Sequence, residues 1–314
     1  MSAASAVVFA YHNVGVRALA VLLDGGVDVR LVVTHDDSAI EKIWFASVAA
    51  LAAVHGLPCI APADGNSADV VARCRAAEPD FLFSFYYRQM LKPALLAVPR
   101  RGAYNLHGSL LPKYRGRAPV NWAVLHGERE TGATLHVMDA KPDHGAIVDQ
   151  CAVPILGDDT ARVVFDKVTV AAEIVIARSL PQLIDGSAHL TPQDFSRGGY
   201  YGGRSAEDGR IPAAAGARQI HDLVRAVAPP EYPGAFFDAR GQRIVIGRTR
   251  FIGVAARPGG TRSAFSMAAR DGALWIEAAD GGVLRVVSAW LAGLPVDAEV
   301  FTERFGSAPL GPDL

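Results

Sequence analysis

Short β-branched apolar runs alternate with segments of helical spacing along the first half of the chain. Ala6–Ala10 predicts a strand, Val14–Leu23 a helix, Val27–Thr34 a strand and Ile40–His55 a helix. Leu57–Ile60 and Ala68–Ala77 repeat the pair, and Phe81–Phe85 and Gly102–Leu106 are two further strands. Strands that alternate with helices and are bounded by Gly and Pro indicate an α/β domain with a doubly wound, mostly parallel sheet. Right-handed crossovers would then place the loops at Phe85, Leu106 and Met138 along one edge. Val120–Leu125 predicts a short helix, Thr131–Met138 an alternating strand, Ala146–Pro154 its partner, and Asp159–Ile184 a long helix with Asp158 or Asp159 available as cap. Residues 185–212 are rich in Gly, Ser and Arg, and too long for a plain connection, so they read as a linker or a substrate loop. Beyond a helix at Ala214–Val227, the short strands Ile244–Arg250, Ala264–Ala268, Leu274–Glu277 and Val283–Leu291 suggest a second, smaller β-barrel-like domain. The reading divides the chain at 203/204.

Composition narrows the class. A chain of 314 residues is long for one core, and its 50% hydrophobic and 20% charged residues suit a well-buried protein. A formal net charge of -1 excludes the global basic field that drives nucleic-acid binding, so no nucleic-acid partner is expected. Cys59, Cys74 and Cys151 form no CxxC pair, which fits reduced thiols in a cytoplasmic protein and makes a metal site improbable. The first fifteen residues lack a basic start and a long apolar run, so no signal peptide is expected. No stretch approaches the ~20 apolar residues of a membrane span, so no membrane insertion is expected. After the first strand, Tyr11-His12-Asn13-Val14-Gly15 is not the GxGxxG of dinucleotide binding, which disfavours a nicotinamide dehydrogenase.

Candidate chemistry concentrates between Asn105 and Asp143. The run Asn105-Leu106-His107-Gly108-Ser109-Leu110-Leu111-Pro112-Lys113-Tyr114-Arg115-Gly116-Arg117-Ala118-Pro119 follows a strand directly. In an open α/β sheet, reactive groups are presented beyond the carboxyl ends of the strands. Asn105 and His107 are two apart on an extended segment and share a side, so both could face one reacting centre. Thr131-Gly132-Ala133-Thr134-Leu135-His136-Val137-Met138 leads into the turn Asp143-His144-Gly145. An amide that donates to a developing oxyanion, a histidine that titrates in the useful range and a carboxylate beside it suffice for attack of an amine on a carbonyl-type carbon. A carboxylate at Asp143 would raise the pKa of His107. On position alone, His107 serves equally well as a turn histidine, and Asp before Gly is a common turn residue. A cross-strand or core role is expected for His136.

These blocks, together with the amino-terminal VVFAYHNVG, Phe83-Ser84-Phe85-Tyr86-Tyr87-Arg88 and Leu223–Ala228 leading to Pro233-Gly234-Ala235-Phe236, resemble the folate-dependent formyltransferase family over roughly residues 6 to 240. The resemblance implies a Rossmann-like catalytic domain, an OB-like carboxy-terminal barrel, and 10-formyltetrahydrofolate as formyl donor. It matches Asn105, His107 and Asp143 to the family's catalytic trio. It places the folate against Gln89, Met90, Leu91 and Arg117 and against the loop Asp139, Ala140, Lys141 and Pro142. His144 departs from the small residue usual there and is expected to face solvent or line the folate site. For a nucleotide-sugar acceptor the resemblance suggests Tyr86, Tyr87, Arg88, Ser109, Lys113, Tyr114, Tyr200, Tyr201 and Arg204, since Tyr can stack on a base and Arg can pair with a diphosphate. Within the family, the branch that formylates UDP-4-amino-4-deoxy-L-arabinose for lipid A modification is the most similar. Another nucleotide-linked amino sugar stays open, as does assembly into a homo-oligomer. Methionyl-tRNA is disfavoured, because Ser205–Leu314 carries 12 arginines, no lysine and 12 acidic residues, and a tRNA binder needs a basic excess there. A formyl-folate hydrolase would use the same trio with water as acceptor, and a catalytically silent nucleotide-binding module is a third reading.

Overall fold

The computed structural model describes residues 3–38, 43–254 and 262–313, which divide into two compact units. The first comprises residues up to Pro119, Glu130–Pro154 and Phe165–Gly202; the second comprises Val120–Arg129, Ile155–Val164 and the chain from Gly203 onward.

The first unit is built on a seven-stranded sheet in the order β3-β2-β1-β4-β5-β7-β8, from Ser5–Ala10 (β1), Asp28–Val33 (β2), Cys59–Ile60 (β3), Phe81–Phe85 (β4), Gly102–His107 (β5), Glu130–Val137 (β7) and Ile147–Pro154 (β8). β1 and β4 are buried at every position, as expected of central parallel strands covered on both faces. The helices His12–Asp24 (α1), Val48–Val54 (α2), Ala68–Ala76 (α3) and Pro93–Leu96 (α4) connect the parallel strands. Val7, Phe9, Leu31, Val33, Val70, Leu82, Leu91 and Leu95 form a core with Met138 packed at its margin.

The sheet is parallel from β3 to β5 and reverses there. β7 runs antiparallel to β5, with Asn105 opposite His136 and His107 opposite Thr134. This corrects the expected placement of three loops along one edge: Met138 N donates to Ala103 O, at the start of β5, so the chain leaves β7 at the end opposite Leu106. The helix expected over Ile40–His55 begins at Val48, capped by Ser47 Oγ accepting from Ala50 N at 3.2 Å. Trp44 and Phe45 stay outside it and pack their rings on His12, while positions 39–42 lie outside the described residues. The long helix is Ala161–Asp185 (α6). Asp159 accepts from Leu156 N, and Thr160 Oγ1 accepts from Val163 N. The segment expected as linker or loop is tied down in both units: up to Gly202 it belongs to the first, and beyond that Arg210 bridges Phe236 in the second. Thr191 bridges Ile147, and Tyr200–Tyr201 (β9) pairs in parallel with Arg115–Gly116 (β6).

The second unit holds Pro119–Leu125 (α5) from Val120 onward, Ala217–Ala226 (α7) and a curled antiparallel sheet ordered β10-β11-β14-β13-β12. Its strands are Ala235–Ala239 (β10), Gln242–Val254 (β11), Ser266–Arg270 (β12), Ala273–Glu277 (β13) and Gly282–Leu291 (β14), with Leu294–Pro295 (β15) on β14. Register shifts along β11 supply the curl. β10 was not expected from the sequence, because its five residues sit between a Pro-Gly turn and a hairpin. Among the described residues no helix is long and apolar enough to cross a membrane. In α7, Asp222 and Arg225 form a 2.8 Å ion pair, each less than a tenth exposed, and Arg225 also donates to Val124 O. Asp222→Ala is expected to destabilise the fold by ~3–5 kcal/mol, because it strands a buried guanidinium; chemical denaturation of the two proteins measures the difference.

Candidate active site

The parallel strand order changes direction at β1, and the next two strands on that side, β4 and β5, carry the functional candidates at their carboxyl ends, where such folds place ligands. Tyr11 N donates to Phe85 O and ties the ends of β1 and β4 together. Around that tie His12, Trp44, Phe45, Tyr86 and Phe165 form a ring cluster.

On β5, alternation puts Asn105 and His107 on one face, and antiparallel register adds His136 and Thr134 from β7 to that face. Asp143 reaches the same face from the loop after β7. Its Oδ1 stands 3.5 Å from His107 Nδ1 and 3.7 Å from His136 Nε2, and its Oδ2 accepts from Gly116 N at 2.8 Å. The structure therefore brings Asn105, His107 and Asp143 together and adds His136, for which a cross-strand or core place had been expected. Its signal was strand parity: Thr131–Met138 alternates, and even positions share a face with the reactive pair.

Hydrogen-bond partners fix the tautomers. His107 Nε2 lies 2.8 Å from the Tyr114 carbonyl, which can only accept, so Nε2 carries the proton and Nδ1 the lone pair. By the same argument His136 donates from Nδ1 to Val137 O at 2.8 Å. Its Nε2 then accepts from Asn105 Nδ2 at 3.1 Å, which orients the amide and leaves its second N–H to give. Burial drives the His107 pKa below its ordinary value and outweighs the opposing pull of Asp143 and of the Tyr114 carbonyl. The expectation that Asp143 would raise this pKa holds for its direction of pull and fails for the net shift, because the imidazole is almost wholly withdrawn from water. Burial alone would raise the Asp143 carboxyl, but His107, His136 and the Gly116 amide outweigh it and hold the pKa at about 2.

Two close approaches make this geometry depend on glycine. A Cβ on Gly145 would stand 2.0 Å from the Val137 carbonyl oxygen, and one on Gly116 (φ +100) 2.3 Å from that of Tyr201. Beneath the first loop, Thr134 Oγ1 accepts from Leu111 N and from Gln150 Nε2 and donates to Ser109 O.

The remaining candidates fall into distinct environments. Ser109 is fully buried, and its hydroxyl donates to Lys113 O, so it closes the turn and is not presented to solvent. Tyr87 is a core residue, its ring stacked 4.0 Å from His35, and burial pushes its hydroxyl up to about 12. Tyr86 (φ 58) turns its hydroxyl toward Gly108. Arg88 and Lys113 are exposed, with the Arg88 guanidinium 4.6 Å above the Tyr11 ring. Tyr114 is buried 5.1 Å from Tyr201, and Tyr200 is exposed. Arg204 belongs to the second unit, over Trp122, where it donates to Asp208 O. Along the expected folate segments, Gln89 clips the 63–65 loop through Ala63 O and Gly65 N. Asn66 holds Met90 O and Lys92 N, Met90 is exposed, and Leu91 is in the core. Arg117 is exposed and makes no ion pair among the described residues. Ala140 and Lys141 are exposed and Pro142 half-buried, on a loop pinned by Asp139, which accepts from Lys141 N and pairs with His144 at 2.9 Å. His144 is partly exposed and stacks on Phe195 at 4.5 Å.

Two family models match the chain in order. The profile described as Formyl transferase matches residues 12–180, and the one described as Formyl transferase, C-terminal domain, matches 204–306. The fold is similar to that of the N-formyltransferase from Helicobacter canadensis in complex with folinic acid and dTDP-3-aminofucose, at 19% identity and TM-score 0.68 over 91% of this chain and 99% of that one. It is similar to WlaRD, a sugar 3N-formyl transferase solved with dTDP and 5-N-formyl-THF, at 19% identity and TM-score 0.70 over 91% and 98%. A third likeness is to a sugar N-formyltransferase from Shewanella sp FDAARGOS_354, at 20% identity and TM-score 0.61 over 78% and 96%. With its first model spanning more than half the chain and both domains matched in order, this protein is a member of the formyl transferase family.

Proposed function

We propose that this formyltransferase moves a formyl group from 10-formyltetrahydrofolate to the amino group of a nucleotide-linked amino sugar. The observation that carries the reading is the convergence of Asn105, His107 and Asp143 on one face of β5 and β7. The residues present suit a folate. The main chain at Met90–Lys92 is held by Asn66 beside the core that also receives Met138, and Arg117 and Lys141 offer cations for the donor's carboxylates. Bound there, 10-formyltetrahydrofolate supplies the formyl carbon. His107 would take the amine proton at Nδ1, the atom that carries its lone pair, as the amine bonds the formyl carbon, with Asp143 stabilising the imidazolium, and would return it to the donor nitrogen set free as tetrahydrofolate when the old carbon–nitrogen bond breaks. Asn105 gives its second N–H to the negative charge developing on the formyl oxygen.

For the acceptor we propose UDP-4-amino-4-deoxy-L-arabinose, and with it a place in lipid A modification. Support comes from the likeness of Phe83–Arg88 and the Asn105–Pro119 block to that branch and from the balanced charge after Ser205. The ligands named for the Helicobacter canadensis and WlaRD structures support the wider class of nucleotide-linked amino sugars.

A mass-spectrometric assay with 10-formyltetrahydrofolate and a panel of acceptors tests this. A gain of one formyl group on UDP-4-amino-4-deoxy-L-arabinose is expected. Gain only on another amino sugar or on methionyl-tRNA moves the acceptor, and formate release with water alone makes the protein a hydrolase. In that assay His107→Ala is expected to lower kcat by ~10²–10⁴-fold and Asn105→Ala by ~10²–10³-fold; undiminished turnover in His107→Ala removes the general-base role. The pH dependence has a fixed sign. His107 acts while neutral, and burial lowers its pKa, so the acid limb of kcat/KM should lie below the ordinary histidine value of ~6.5. Asp143→Asn removes the carboxylate that opposes the shift, and the limb should move to still lower pH as kcat falls.

A further inference from the structure

The strap from Thr191 to Tyr201 is anchored at both ends on the loops that carry the site. Thr191 pairs with Ile147 just beyond the Asp143 turn, and Tyr200–Tyr201 pairs with Arg115–Gly116. Between these anchors Phe195 has His144 stacked on its ring and the Arg115 guanidinium 4.6 Å from its centroid. Also between them, the Gln193 carboxamide nitrogen donates to Asp143 O at 3.0 Å and to Gly145 O at 2.7 Å. Two carbonyl acceptors fix which end of that amide is nitrogen.

Asp143 needs such a hold. Its φ of 51° is a left-handed conformation that a non-glycine residue keeps only where its surroundings over-determine it. Its side chain accepts from the Gly116 amide and stands between His107 and His136, and among the described residues Gln193 is what holds its main-chain carbonyl. A rotation of the turn would carry the carboxylate away from His107 without breaking any bond of the imidazole to Tyr114. We propose that Gln193 is the positioning residue for Asp143, its amide clamping the carbonyls on either side of His144 so that the carboxylate stands against His107. Gln193 touches no reacting atom; it acts through the turn. The mechanistic consequence rests on the formyl-transfer reading above, whereas the positional one does not.

The groups that face Asp143 are His107 from β5, His136 from β7 and the Gly116 amide, with the Asp139–His144 pair on its own loop. Histidine NMR titration of the full chain, with His107→Gln to assign the ring, reads the coupling without any assay. In Gln193→Met, which keeps the length and removes the donors, the His107 midpoint should fall below that of the wild type, since the carboxylate that opposes its burial has moved. Gln193→Leu, which has no N–H to give and adds no charge, should do the same and serves if the first variant does not fold. In the acceptor assay kcat should fall by roughly tenfold to a hundredfold, the range a misplacement of about 1 Å produces, with both KM values within about twofold, as expected when only transition-state contacts are lost. An unmoved His107 midpoint in a folded variant overturns the proposal, as does a rise in KM with kcat unchanged. Absence of transfer by the wild type would instead sink the formyl-transfer reading, and the titration would still decide the positioning role.

Discussion

The site depends on keeping one carboxylate ionised where little water reaches it. A buried charge without partners is costly enough that the group would neutralise. Asp143 is held at about 2 because two imidazoles and one main-chain amide surround it. Each of those partners comes from a different element: His107 from a parallel strand, His136 from an antiparallel one, and Gly116 from the loop that also returns a carbonyl to His107. The sheet reversal at β5 and the turn of the 113–117 loop are both needed to assemble that set. Strain gathers at the same place, with Tyr114, Gly116, Ala118 and Asp143 all at positive φ.

Reversal at β5 also explains how a loop leaving the far end of the sheet arrives at the site. Had β7 run parallel, its loop would have met the carboxyl end of β5 directly, as the alternating pattern suggested. Antiparallel, it sets His136 opposite Asn105, and the chain must fold back over the sheet face to deliver Asp143. The second arrangement adds a cross-strand partner for the amide that a parallel neighbour would not have placed in that register.

Local pattern carried much of this into view. Phe81–Phe85 was legible as a strand because apolar residues at four of its five positions fit burial on both faces, and Asn105 and His107 because a two-residue period on a strand fixes a common side. Direction was not legible, since alternation is the same in parallel and antiparallel strands. Nor was the net shift of His107: a neighbouring carboxylate can be inferred from spacing, whereas the desolvation that overrides it depends on how the 113–117 loop closes over the ring. The 185–202 segment hid its role for another reason. Its pairing with Arg115–Gly116 and its clamp on the Asp143 turn are long-range contacts of residues with no periodicity.

The partner of His107 Nε2 sets the direction in which a proton can move. A carboxylate at that nitrogen would compete for the charge and leave either ring nitrogen able to act. A main-chain carbonyl accepts only, and so it holds a proton on Nε2. The lone pair is thereby confined to Nδ1, on the side of the ring that faces Asp143. The carboxylate then stabilises the cation when it forms, while burial keeps the resting imidazole neutral. On the proposed reading the two effects oppose each other on one imidazole: burial favours the neutral ring that a base needs, and Asp143 favours the cation that forms when the ring takes a proton.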